Sequence, residues 1–167
     1  MADAKKSIER TLRHEDAKLE GKVTKDTGGL TRWGITQKAY PGLDIKNLPL
    51  DMAIRIYDKD YFTKMELKAI KDQEVADNIF DFGVNAGTTR SINMAVETAA
   101  EVIGHSNIPD MMKITDFINK ADPKKFTKVF VEKRKKYYIN LVEKNKNKYG
   151  IYLKGWLNRA ESFLPKE

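Results

Sequence analysis

Two carboxylates, Glu15 and Asp26, bracket a polar segment, EDAKLEGKVTKDTGGLTRWGIT (Glu15 to Thr36), that also holds the pair Gly28-Gly29 and the threonines Thr31 and Thr36. Hydrolysis of a glycosidic bond takes one carboxylic acid to protonate the leaving oxygen and a second carboxylate to handle water or the developing positive charge. Both residue types are present here. Gly28 and Gly29 permit backbone angles closed to other residues, so the chain can turn sharply after Asp26 and bring it back toward the preceding helix. The same aspartate could instead organise that turn by accepting backbone N–H bonds.

The elements that must position these groups follow from periodicity and punctuation. A first helix is expected from about Ala4 to Arg13, and Ile8, Leu12 and Glu15 share its helical spacing. The Glu15 to Thr36 segment reads as a helix end and a hairpin of two or three short strands. Thr36 is expected to cap a short helix after it. Pro49 suits a first helical position, with Met52, Ala53, Ile56, Tyr57 and Tyr61 forming an amphipathic face. Asp72 to Asn85 reads as a largely buried helix ended by Gly87. Further helices are expected over Thr89 to Ile103, Asp110 to Asn119, a basic stretch opened by Asp122-Pro123, and Lys154 to Phe163 beyond Gly150.

Within this frame, Asp26-Thr27-Gly28-Gly29-Leu30-Thr31-Arg32-Trp33-Gly34-Ile35-Thr36 resembles the D-x-G-G-x-T-x-x-G-I-T signature of the N-acetylmuramidases of glycoside hydrolase family 108. The similarity continues through Ala53 to Tyr61 (AIRIYDKDY), Val75 to Gly87 (VADNIFDFGVNAG) and Tyr149 to Arg159 (YGIYLKGWLNR). The chain departs from the family at the helix end, where Glu-Gly-Gly-Tyr is replaced by Glu15-Asp16-Ala17-Lys18. Glu20, before Gly21, is the alternative acid. Glu15 is preferred because it continues the helical stripe and because the interval from Glu20 to Asp26 is short for a full hairpin.

The resemblance implies a mainly α, lysozyme-like α+β fold: a helical bundle with a small β-hairpin beside the active-site cleft. It implies a muramidase part over residues 1–88 and a helical part over 89–167 resembling a peptidoglycan-binding domain, the two packed as one unit. The implied activity is hydrolysis of the β-1,4 bond between N-acetylmuramic acid and N-acetylglucosamine, as in an endolysin. Glu15 would be the general acid, Asp26 the ionised partner and Thr31 the group that helps to place water. Such an acid must hold its proton near neutral pH, which calls for partial burial. Trp33 could stack on a sugar ring or pack in the core. Asp81 and Asn85, one helical turn apart, could touch substrate or brace the hairpin. Tyr137, Trp156 and Arg159 resemble family positions whose task is mainly packing.

Composition bounds the alternatives. The 167 residues carry a net charge of +7 and no cysteine, so disulfide staples and thiolate metal sites are excluded. His14 and His105 are isolated, no His-Glu-x-x-His occurs, and Gly83 and Gly87 lack a following Gly-Lys-Ser/Thr, so no metal, phosphate loop or other cofactor is expected. The basicity is local: Lys124 to Lys148 holds ten Lys or Arg against two acids, leaving 21 basic and 22 acidic residues elsewhere. Such a helix attracts polyanions, with Lys133, Lys135 and Lys136 as candidate wall contacts. Phe126, Val129, Phe130, Tyr137 and Leu141 would form its apolar side.

A different class of function stays open at this stage, a non-catalytic basic module that binds cell wall or nucleic acid. Under the muramidase reading the partner is peptidoglycan glycan strands, with no nucleic acid, no stable membrane insertion and a monomeric chain. The start, MADAKKSIERTLRHEDAKLE, lacks an apolar core of a signal peptide. Synthesis in the cytoplasm and delivery to the wall through a holin or secretion channel are therefore expected.

Overall fold

The computed structural model describes residues 1–166. Helix α1 (Ala4–Glu15) is opened by Asp3, whose side chain accepts from the Lys5 N–H, and buries Ile8 and Leu12. A three-stranded antiparallel sheet follows, β1 (Thr24–Asp26), β2 (Gly29–Arg32) and β3 (Ile35–Thr36), in the order β1-β2-β3. Its register sets Asp26 opposite Gly29 and Thr31 opposite both Thr24 and Thr36. Thr36 caps a turn rather than a helix, accepting from the Ala39 N–H at 3.2 Å.

Helix α2 (Leu50–Tyr57) is preceded by Pro49 at the capping position rather than at the first helical one. It continues into a wider π-helical turn over Asp58–Thr63. Ala53 and Tyr57 are buried, whereas Met52 lies off that face and is exposed. Helix α3 (Gln73–Ala86) begins under Asp72, which accepts from the Val75 N–H, and is buried from Val75 through Gly83. This is the central rod of the molecule. Gly87, at φ 104°, separates it from α4 (Thr88–Ile103).

The remaining helices are α5 (Ile114–Ile118), α6 (Pro123–Lys144), α7 (Lys146–Tyr149) and α8 (Leu153–Glu161). α5 is shorter than the expected 110–119, and α8 starts ahead of Lys154 with Gly155 inside it. α1, α4 and α6 all pack on α3, and α8 packs on α6. The architecture is mainly α with one small sheet, as the resemblance implies.

The buried stripe of α6 differs from the expected one. It comprises Phe126, Thr127, Phe130, Val131, Arg134 and Tyr138, while Val129, Tyr137 and Leu141 are only half-buried. One of the ten basic residues is therefore core rather than surface. Arg134 is fully buried because α3 offers it a buried carboxylate, an arrangement with no periodic signature.

The C-terminal end of the chain is clamped to the first helix. Arg10 donates through Nη2 to the Ser162 carbonyl at 3.0 Å and stacks over Phe163 at 4.2 Å. Asn78 of α3 donates to the Phe163 carbonyl at 3.2 Å. These bonds draw α8 alongside α1. Among the described residues no helix is long and apolar enough to cross a membrane.

Candidate active site

α1 delivers Glu15 at its last helical residue, where the chain turns away into the loop toward β1. Asp16 closes that loop by accepting from the Gly21 N–H at 2.7 Å. The Glu15 side chain is 27% exposed although the residue stands at a helix end, because the β2–β3 turn presses against it. Gly34 makes this approach possible. A Cβ on Gly34 would lie 2.6 Å from the Tyr57 hydroxyl and 2.8 Å from Glu15 Cγ, and its φ of 75° is a left-handed conformation that suits glycine. Tyr57 holds the same turn by donating to the Trp33 carbonyl at 2.7 Å. Burial pushes the Tyr57 phenol well above its ordinary pKa, with the charge of Glu15 adding to the effect, so it remains a donor.

Glu15 opens into a cleft of about 290 Å³ whose lining includes Gly34, Thr36, Tyr40, Tyr57, Tyr61 and Asn85. Asn85 is thus brought into the same cleft as Glu15. Its Oδ1 accepts from the Tyr138 hydroxyl at 2.6 Å, which leaves the amide nitrogen available to a ligand. Tyr40 is fixed by donating to Asp60 at 2.6 Å. Burial and that acceptor raise its pKa, so Tyr40 also presents a neutral phenol.

Asp26 is exposed and accepts from the Gly28 N–H at 2.8 Å, the turn-organising bond that its sequence position offers. A Cβ built on Gly28 would lie 3.3 Å from Asp26 Oδ1 and 3.6 Å from Thr36 Cβ, so carboxylate and threonine flank one glycine. Thr36 in turn lines the cleft with Glu15. The hairpin therefore carries Thr36 in the cleft wall, with Asp26 exposed across Gly28 from it and outside the cleft lining. Thr31 lies on the middle strand, its hydroxyl oxygen buried and without a hydrogen-bond partner among the described residues. Glu20, in the loop, is exposed and outside the cleft lining.

Two expected substrate contacts are not presented to a ligand. Trp33 is 6% exposed, donates its indole N–H to the Leu48 carbonyl at 2.9 Å, and is packed against Gly21, so its ring is a pillar under the hairpin. Asp81 is fully buried. It accepts from Thr11 at 2.9 Å, from Arg134 at 2.7 Å, and from the Arg159 fork at 2.9 to 3.2 Å. Burial alone would raise its pKa, but Arg159 and Arg134 outweigh that and hold the carboxyl well below the usual range. Both arginines lie on the C-terminal half of the chain.

Arg159, which sequence reasoning assigned to packing, touches the candidate acid. Its Nη1 donates to Glu15 at 2.8 Å while Nε and Nη2 grip Asp81. The side chain is 11% exposed, and despite burial the two carboxylates push its pKa above its ordinary value. One guanidinium thus ties the candidate acid to a buried anchor on α3. Nothing local marks it: the partners are far apart in the chain, and the block YGIYLKGWLNR is equally consistent with a packed helix.

The basic helix is partly self-neutralised. Lys133 pairs with Glu101 at 3.0 Å, and Lys135 reaches Glu161 at 3.1 Å and Glu132 at 3.5 Å. Lys136 is exposed. Among the described residues no group of three or more His, Asp or Glu side chains is arranged to hold a metal ion.

Residues 8–87 match the profile of the family described as Glycosyl hydrolase 108. No match is found among curated proteins. A solved structure of SagA from Brucella abortus superposes with a TM-score of 0.67 at 21% sequence identity, covering 95% of this chain and 92% of the other. At that identity the likeness establishes the fold, and it extends across the region beyond residue 87.

Proposed function

We propose that the chain, whose residues 8–87 match the glycosyl hydrolase 108 profile, is an N-acetylmuramidase hydrolysing the β-1,4 bond between N-acetylmuramic acid and N-acetylglucosamine in peptidoglycan. The observation that carries this reading is the placement of Glu15 in a walled cleft. The hairpin closes over it, Arg159 fixes its carboxyl group, and neutral Tyr40, Tyr57 and the Asn85 amide surround it. Glu15 protonates the leaving oxygen. Asp26, exposed on the hairpin, orients or activates water, aided by a hydroxyl of the hairpin. Thr36 has better access to the cleft for that task than Thr31, whose oxygen is buried.

Water attacking from the face opposite the acid inverts the anomeric centre, and pairs that do so stand roughly 6.5 to 9.5 Å apart. Product analysis by NMR at early times on purified glycan strands tests the assignment: new reducing ends on muramic acid, first formed as the α-anomer, are expected. Reducing ends on glucosamine would overturn the bond assignment, and first formation of the β-anomer would overturn the stereochemical one. The region from 89 to 167 supplies Arg159 and holds the glycan-bearing wall through its basic surface. As two of the three candidate lysines are already paired, changing Lys133, Lys135 and Lys136 to Gln should weaken sedimentation with sacculi only modestly and at low salt.

A further inference from the structure

The cleft at Glu15 does not end at Asn85. Ala39, Tyr40 and Tyr61 border a second recess of about 500 Å³, which reaches Lys59, Lys64, Gly87 and Thr88. Gly87 and Thr88 in turn border a third recess of about 640 Å³. The three share walls, so they form one groove running from the candidate acid over the α3–α4 junction and along the side of α4.

The far recess differs chemically from the near one. It is lined by Arg90, Asn93, Glu97 and Tyr137, together with the hydroxyl residues Thr88 and Thr89. Arg90 is exposed yet held in place. Its Nη1 donates to the Ala86 carbonyl and to the Tyr137 hydroxyl, both at 2.9 Å, and the guanidinium lies 4.8 Å from the Tyr137 ring centre. Both bonds use Nη1, which leaves Nη2 and Nε for a ligand. A guanidinium fixed in advance with free donors suits a carboxylate, which it can take in a two-point fork. Glu97 lies two helical turns further along the same side of α4. At about 1.5 Å per residue that is roughly 10 Å from Arg90, about the span of three extended amino-acid residues at some 3.3 to 3.6 Å each. This pair of opposite charges, at this spacing, matches both ends of a short zwitterionic peptide.

We propose that the Arg90 end of the groove is a receptor for the stem peptide that branches from muramic acid, with Arg90 taking a stem carboxylate and Glu97 the ammonium group of a diamino acid. The assignment rests on the muramidase reading for the identity of its ligand. It makes the enzyme a reader of peptide-substituted glycan, with the peptide bound by α4 and the sugars by the hairpin side.

The test uses the full chain and a synthetic Ala-γ-Glu-diaminopimelate tripeptide, titrated while the backbone amide resonances are followed by NMR. Shifts confined to Arg90, Asn93, Glu97 and their neighbours are expected. Arg90→Gln should weaken binding at least about tenfold, because a hydrogen bond to a charged group is lost. Glu97→Gln should weaken the diaminopimelate peptide but not its counterpart with alanine in third place. A tripeptide with its carboxylates methylated should not bind. No shifts with the free peptide, undiminished binding to Arg90→Gln, or occupation of the same resonances by tri-N-acetylchitotriose would overturn the proposal, the last in favour of a further sugar site. Hydrolysis of peptide-free glycan strands is read in parallel. Cleavage without peptide binding removes the receptor and keeps the muramidase; peptide binding at Arg90 without cleavage of any glycan does the reverse.

Discussion

The two supports of Glu15 are built by opposite means. The hairpin support is local: Gly34 and Thr36 fall within one short segment, and glycine turns fold it against the helix that precedes it. The α8 support is remote, since Arg159 meets Glu15 where Arg10 and Asn78 hold the C-terminal end on α1 and α3 and where Asp81 takes the same guanidinium. A support made by turn chemistry can be recognised in a string of residues. One made by a buried charge network cannot.

The largest expected effect lies in that network. Asp81→Asn leaves Arg134 buried without its counter-charge, and removal of one partner from a buried pair typically costs about 3 to 5 kcal/mol. The melting temperature should fall by roughly 6 °C or more. The same pair sets an acid limit. Because the folded pKa of Asp81 lies below the unfolded value near ~3.9, its stabilisation is complete above that value and is lost as the pH falls through the folded one. Thermal melts below about pH 4 should therefore show a steeper decline for the wild type than for Asp81→Asn. Parallel declines would mean that other carboxylates control acid unfolding.

Next in size is the acid. Glu15→Gln keeps the fold but has no proton to give, so lysis of cell walls should drop by at least ~100-fold, within the range for general acid catalysis. Glu20→Gln, altering an exposed loop residue, should be nearly silent. The reverse pattern in a matched turbidity assay would move the acid to the loop and break the comparison of the two supports, because Arg159 would then fix a bystander.

Gly34→Ala probes the contact between hairpin and acid. A methyl group there meets the Tyr57 hydroxyl and Glu15 Cγ, and displacement of a catalytic group by about 1 Å can cost ~100-fold in rate. A loss of kcat with KM little changed is expected; unaltered turnover would show that the turn has room to move.

The smallest effect sharpens the comparison from the α8 side. Arg159→Lys preserves a positive charge near Asp81 but cannot hold two carboxylates in one planar fork. The loss of a charge-assisted hydrogen bond corresponds to about tenfold, expected in kcat on peptide-free glycan. Equal activity would reduce Arg159 to a structural cation.

Much of the fold was legible because it rests on short-range rules. Periodic apolar residues gave α1, α3 and α4 to within about two residues of the ends that the structure shows, and Asp122-Pro123 opened α6 as a capping residue and a first-turn proline should. Rules of this range mislead where side chains from distant elements compete. Thr36 was expected to start a helix, but the β2–β3 register and the turn bond to Ala39 hold it beside the cleft. Trp33 suits a sugar or, by a slight margin, a core, and the Leu48 carbonyl together with the bare face of Gly21 decides for the core.

The sequence by itself determined the helix stripes, the glycine hairpin and the signature at residues 26–36, and it nominated a helix-end glutamate and a hairpin aspartate as candidate carboxylates. These depend on residues within a few turns of one another, where backbone geometry leaves few choices. Only the tertiary structure decided that Arg134 is core, that Asp81 is an anchor beyond the reach of substrate, and that Arg159 grips the candidate acid. A buried charge is tolerable only where partners from other helices neutralise it, and which partners arrive is fixed by how α3, α6 and α8 pack.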